Sequence, residues 1–158
     1  MNNFLEFNYE VENKDLMDFE KIFNNLLIIT KDILKLGKPI SMSINYISDE
    51  KSIELNTEYR QKKYIGDVIS FPINDEFGIY DQLDFKEIGD IFIAPNEAIR
   101  KAKLYNHSFY EEMCWLFTHG LLHILGYDHE ENENNAKIMF DLTDQILQEI
   151  NIKYNMPF

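Results

Sequence analysis

The stretch SFYEEMCWLFTHGLLHILGYDH, from Ser108 to His129, decides how this chain is read. Ser108 and Glu111 stand at the S-x-x-E spacing of a capping box, in which hydroxyl and carboxylate each accept a backbone N–H at a helix start. Apolar residues then fill most positions to Leu125, and Gly126 can take the left-handed turn that ends a helix. A helix apolar nearly all round has no side to give to water, so it belongs at the centre of the fold with other elements packed around it.

Three of the four histidines in the chain fall within the last eleven residues of that stretch. His119 and His123, four apart on a helix, project from one face within reach of a common ion. A chain reversal at Gly126 brings His129 back to the same point. Taken singly, His119 and His123 read more readily as core histidines satisfied by hydrogen bonds and His129 as an exposed loop residue. The spacing H-x3-H-x5-H with a glycine in the second interval favours the other reading, one zinc ion per chain held by three imidazoles, with the fourth tetrahedral position left open as in catalytic zinc sites. Imidazole also suits nickel, copper and iron(II), and ligand type alone leaves these open. Metzincin proteases share the spacing as H-E-x-x-H-x-x-G-x-x-H, but their glutamate is the general base. Gly120 stands in its place here and cannot move a proton, which disfavours peptide hydrolysis by that route. Zinc lowers the pKa of its water to about 7, so a nucleophile can form near neutral pH without a protein base.

Outward from this helix, residues 4–9 alternate loosely as a first strand. From Asp15, apolar residues recur at three- and four-residue steps through Leu34, predicting a helix stopped by Gly37 and Pro39. Ile40, Met42, Ile44 and Tyr46 alternate with Ser41, Ser43 and Asn45, the period of a strand with one buried face. Ser48, followed by Asp49 and Glu50, caps a helix running to about Tyr59. Asp67 to Phe71 form a short strand ended by Pro72, a polar loop covers 73–88, and Gly89 to Ala94 form another strand. Pro95 opens a helix to about Tyr105. The last helix, about Asn132 to Ile150, places Ile138, Met139, Leu142, Ile146 and Ile150 on one face. These elements predict a single α+β domain over 1–158, with a small sheet of about four short strands covered by about five helices and the metal-bearing helix at its centre.

With 158 residues, 45% of them hydrophobic, the chain can bury a core. Cys114 has no partner for an internal disulfide and, within MCWLF, reads as a small buried hydrophobe. No basic leader and no run of about 18 apolar residues occurs, so the expected location is the cytoplasm, away from membranes. A net charge of −13 argues against broad, sequence-independent grasping of nucleic acid, which depends on many cations neutralising phosphates. A nucleic-acid substrate needs a local positive site, for which Tyr59-Arg60-Gln61-Lys62-Lys63 and Arg100-Lys101-Ala102-Lys103 are candidates; each reads equally as a solvated helix face. His107 reads as a surface or substrate-contacting residue, Asp128 as a turn cap or the orienter of a ligand imidazole, and Ser70 and Asp90 as residues shaping the pocket.

The run His119-Gly120-x-Leu122-His123-x-x-Gly126-Tyr127-Asp128-His129 resembles the signature of the YbeY metallo-endoribonucleases. Leu55-Asn56, Tyr59-Arg60, Asp67-Val68-Ile69-Ser70-Phe71-Pro72 and Gly89-Asp90-Ile91 extend the likeness over nearly the whole chain. One departure is Gly66, where that family usually carries threonine. The resemblance implies a zinc-dependent, single-strand-specific endoribonuclease acting in 3′-end maturation of small-subunit ribosomal RNA and in ribosome quality control. Its expected partners are ribosomal RNA, the small subunit and its assembly proteins. It also implies His119, His123 and His129 as metal ligands, with Arg60 and His119 as the catalytic residues. A guanidinium matches phosphoryl oxygens with a planar fork of donors, and Arg60, one of only two arginines, takes the phosphate clamp. The competing readings are a zinc hydrolase of a non-RNA substrate and a non-catalytic, zinc-containing ribosome assembly factor.

Overall fold

A computed structural model describes residues 2–73, 83–130 and 132–154. Four strands, β1 (Phe4–Tyr9), β2 (Ile40–Tyr46), β3 (Val68–Pro72) and β4 (Lys86–Ile93), form one sheet in the order β1-β2-β4-β3. The first three of that order run parallel and β3 is an antiparallel edge. Five helices, α1 (Phe19–Leu34), α2 (Asp49–Arg60), α3 (Pro95–Tyr105), α4 (Phe109–Ile124) and α5 (Glu133–Gln148), cover it. The α+β class, the strand and helix numbers and the central place of α4 agree with the sequence expectation; strand order has no signature in residue periodicity.

Met42, Ile44, Tyr46, Ile91 and Ile93 face one way and join α1, α4 and α5 in the main core. Leu55 of α2 packs on the opposite face with Ile47 and Ile69. Strand β2 was expected to bury one face, yet Ser43 and Asn45 are buried as well. Strands flank β2 on both sides, and the polar side chains satisfy one another. Asn8 Nδ2 donates to Asn45 Oδ1 (2.9 Å), Asn45 Nδ2 to Ser43 Oγ (2.8 Å), and Ser43 Oγ to Asp90. Burial of polar groups at this cost is tolerable only when they are paired.

Other differences have local causes. The segment from Asp15 begins as a 3-10 turn, Lys14–Asp18, before α1 proper; α1 ends when Lys35 takes the left-handed conformation (φ 58°), two residues ahead of Gly37. Strand β4 starts at Lys86, because residues 86–88 continue the pairing with β2 through a bulge at which Gly89 has φ 144°. A Cβ on Gly89 would stand 2.3 Å from the Phe71 carbonyl oxygen. Of the loop expected over 73–88, residues 74–82 lie outside the described residues. On α5 the buried side is Met139, Thr143, Ile146 and Leu147; Ile138, expected in the core, is 44% exposed because it falls to the solvent side of that stripe. Among the described residues no helix is long and apolar enough to cross a membrane.

Candidate metal centre

The capping box at Ser108 and Glu111 is formed, and α4 runs from it along the sheet with nearly its whole length buried. Close approach to β3 is possible because position 120 has no side chain. A Cβ there would lie 3.0 Å from Ser70 Oγ and 3.1 Å from Val68 Cγ2, and Ser70 Oγ donates to the Gly120 carbonyl (3.1 Å). Gly120 therefore has a packing role at the point where a metzincin carries its base.

At the far end the helix closes through Gly126 N–H to His123 O (3.1 Å) and Tyr127 N–H to Leu122 O (3.0 Å), with Gly126 at φ 105°. The chain reverses, and Asp128 Oδ1 caps the next turn by accepting the Glu130 N–H (2.9 Å). His129 is thereby delivered beside the two helix histidines. Ring centroids lie 4.6 Å apart for His119 and His123, 5.0 Å for His119 and His129, and 5.1 Å for His123 and His129. One ring nitrogen from each lies within 4.8 Å of the others, and the Nε2 atoms of His119 and His123 are 3.1 Å apart.

Burial, followed by the neighbouring His123 and His129, holds the His119 imidazole far below the usual histidine range. Burial also lowers His123, followed by His129, against a weaker opposing pull from Asp128. Neutral imidazoles keep the lone pairs a metal needs. Nitrogens bound at about 2.0–2.1 Å to a tetrahedral zinc lie roughly 3.3 Å from one another, close to the His119 to His123 separation. The donor set fits one borderline divalent ion, and among the described residues no carboxylate or cysteine joins it as a fourth ligand.

The three histidines sit at the base of a cleft of about 610 Å³, lined also by Arg60, Lys62, Tyr64, Ser70 and Tyr154. Arg60, the last residue of α2, lies on the rim with a nitrogen 3.7 Å from Glu130 Oε1. Two expectations need correction. Asp90 does not line this cleft; it turns to the other face of the sheet and accepts from Ser43. His107 is not at the surface: its side chain is 8% exposed and packs edge-on against Tyr154 at 4.1 Å. Of the two basic stretches, only part of each reaches the cleft, through Arg60, Lys62 and Lys101.

Sequence reading missed three residues behind the histidines. Trp115 stacks on His119 (4.4 Å, 14°), and Tyr154 stacks on Trp115 from the other side (5.1 Å, 18°). The Tyr154 hydroxyl donates to the buried Glu112 carboxylate at 2.9–3.0 Å. Burial pushes the Glu112 carboxyl up to about 7 despite that bond. A signal existed for two of them: Trp115 precedes His119 by one helical turn and Glu112 by two, so all three share a face. Nothing in the sequence points to Tyr154.

An α+β fold whose central helix and following turn converge three imidazoles at the base of an open cleft defines a class of protein with a candidate metal site facing that cleft. The family described as Endoribonuclease YbeY matches residues 6–151. An endoribonuclease YbeY of Mycoplasma mycoides subsp. mycoides is 44% identical over 155 residues, covering 98% of this chain and 94% of that protein. Another from Mesoplasma florum is 47% identical over 125 residues, covering 79% and 74%. The solution structure of a Thermotoga maritima protein aligns with TM-score 0.56 at 26% identity, over 95% of this chain and 89% of that one. The chain belongs to the endoribonuclease YbeY family and is an enzyme of the nuclease class.

Proposed function

We propose that residues 1–158 act as one zinc-dependent endoribonuclease domain that cuts single-stranded RNA, in 3′-end maturation of small-subunit ribosomal RNA and in ribosome quality control. The reading places it in the cytoplasm with the ribosomal small subunit and its assembly proteins. The observation that carries it is the convergence of His119, His123 and His129 within 4.8 Å at the base of a cleft whose rim bears Arg60.

Each residue then has a task. His119, His123 and His129 hold one ion, and His119 is fixed from behind by the Trp115 ring. Bound there, zinc supplies Lewis acidity, polarising a phosphoryl oxygen and acidifying water. Arg60 binds the non-bridging oxygens of the scissile phosphate and stabilises the charge that builds on them. Its 3.7 Å contact with Glu130 is long and partly exposed, so a phosphate can displace it. A hydrolase of peptides by the metzincin route lacks its base, since Gly120 is walled in by Ser70 and Val68. The set of three ligands counts against a purely structural zinc, which takes four.

Metal analysis of the parent and of His123→Ala, followed by cleavage of single-stranded RNA by each, tests the proposal. Zinc and cleavage are expected to disappear together while the fold remains. A His123→Ala protein that cuts RNA at the parent rate without bound metal would overturn it.

A further inference from the structure

The loop between α2 and β3 places an aromatic ring and a cation on the cleft wall that the three-histidine and Arg60 reading does not use. Tyr64 lines the cleft and is 53% exposed, whereas the other aromatic side chains described along it (Tyr105, Trp115, Tyr127 and Tyr154) are buried or half-buried. Lys62 holds its ammonium 5.9 Å from the centroid of that ring, and among the described residues no carboxylate pairs with it. Both residues follow Arg60 directly, across the left-handed Gln61 (φ 57°) that ends α2.

The loop is held in this form. Asn56, fully buried on α2, accepts the Lys62 N–H through its backbone carbonyl (3.1 Å) and donates its side-chain amide to the Tyr64 carbonyl (3.0 Å). Two residues on, Gly66 is bound on both sides by Ser52: its N–H donates to Ser52 Oγ (2.9 Å), and its carbonyl accepts from the same hydroxyl (2.6 Å). A Cβ at Gly66 would stand 3.0 Å from the Asn56 amide, so the glycine that departs from the family pattern is accommodated by this packing. An exposed tyrosine anchored at its own backbone carries little ordering cost when a ligand stacks on it.

We propose that Tyr64 and Lys62 form a nucleotide subsite next to the scissile phosphate, Tyr64 stacking one unpaired base and Lys62 contacting its phosphate. The inference rests on the reading of this chain as an RNA-cleaving enzyme and adds a cause for single-strand preference. Aromatic rings bind bases of any identity through their faces, and a base still stacked within a duplex has no free face to offer. On a body of net charge −13, an ammonium without an acid partner among the described residues also gives an RNA phosphate a local positive contact.

The test uses zinc-loaded protein and a labelled single-stranded RNA of about eight nucleotides, with binding read by rapid mixing ahead of cleavage and KM read from steady-state turnover. Tyr64→Ala is expected to weaken binding and raise KM about tenfold, with the effect confined to KM, while Tyr64→Phe restores both. Lys62→Gln is expected to make the slope of log affinity against log salt shallower by about 0.7, the value of one phosphate contact on a single strand. Phe4→Ala, which removes an equally exposed ring outside the cleft, serves as the control. Parent-like binding and KM in Tyr64→Ala, in a protein whose parent does cleave RNA, would overturn the subsite. A parent that binds RNA through Tyr64 without cutting it would overturn the enzymatic reading and leave the subsite standing.

Discussion

The two walls of the cleft carry cations in opposite conditions. On the α3 side, Lys101 Nζ lies 2.9 Å from Asp67 Oδ2, and Arg100 on the same helix reaches Asp49 (2.8 Å) and Glu97 (3.0 Å). On the α2 side, among the described residues, Arg60 has only a 3.7 Å contact to Glu130, and Lys62 has an aromatic face instead of an acid. In sequence these two stretches are equivalent patches of positive charge. In the fold Arg100 and Lys101 of one stretch sit in closed ion pairs that tie α3 to α2 and to Asp67 just ahead of β3, and the other stretch remains available to an anion. A count of lysines and arginines therefore says little about nucleic-acid binding until each cation is assigned its partner.

The largest expected effect breaks that comparison most directly. Arg60→Ala should lower the rate of RNA cleavage by about a hundredfold or more, the usual consequence of removing a donor aimed at transition-state charge. Zinc content and thermal stability should stay at parent levels, because among the described residues the guanidinium makes no short ion pair. Lys101→Gln, in the same cleft, should cleave at close to the parent rate, because its ammonium already belongs to Asp67. Equal losses of rate in the two variants would erase the distinction between the walls.

A second test sharpens the contrast on the closed wall, where Glu112 lies beside the Lys101 pair and under Tyr154. Burial raises its carboxyl from 4.5 to about 7, so between those values the folded protein holds a proton that the unfolded chain releases. Stability from this group is complete below about 4.5 and is lost as pH rises through 7. Glu112→Gln has no proton to lose and still accepts from Tyr154. In urea titrations the variant should gain on the parent between about pH 5 and pH 8, by on the order of 2 kcal/mol. A difference that does not change with pH would mean that the carboxyl is not desolvated as its position implies.

Sequence legibility followed how local each cause is. The capping box at Ser108, the stop at Gly126 and the spacing of His119, His123 and His129 are written within one stretch, and helix geometry turns that stretch directly into a cluster. Boundaries set by distant partners were not legible. Lys86 joins β4 because β2 lies alongside it, and Ser43 and Asn45 are buried because Asn8 and Asp90 complete their hydrogen bonds. The ring stack from His119 through Trp115 to Tyr154 joins residues 119, 115 and 154, and no periodicity connects the last to the first two. Ile138 misled the reading because a pattern of three- and four-residue steps fits two neighbouring stripes of a helix, and only packing selects between them.

The smallest effect concerns Glu130, an acid that reaches toward the open wall. Its carboxylate competes with substrate phosphate for Arg60 across 3.7 Å, in a pair whose side chains are 36% and 59% exposed. Exposed pairs of this kind contribute about 0.2–1 kcal/mol, so Glu130→Gln should lower KM by roughly two- to fourfold and leave kcat unchanged. The gain should shrink as salt rises, since screening already weakens the contact in the parent. A KM that matches the parent at low salt would show that Arg60 is as free before substrate arrives as Lys62 is, which would make the two cations of that wall equivalent.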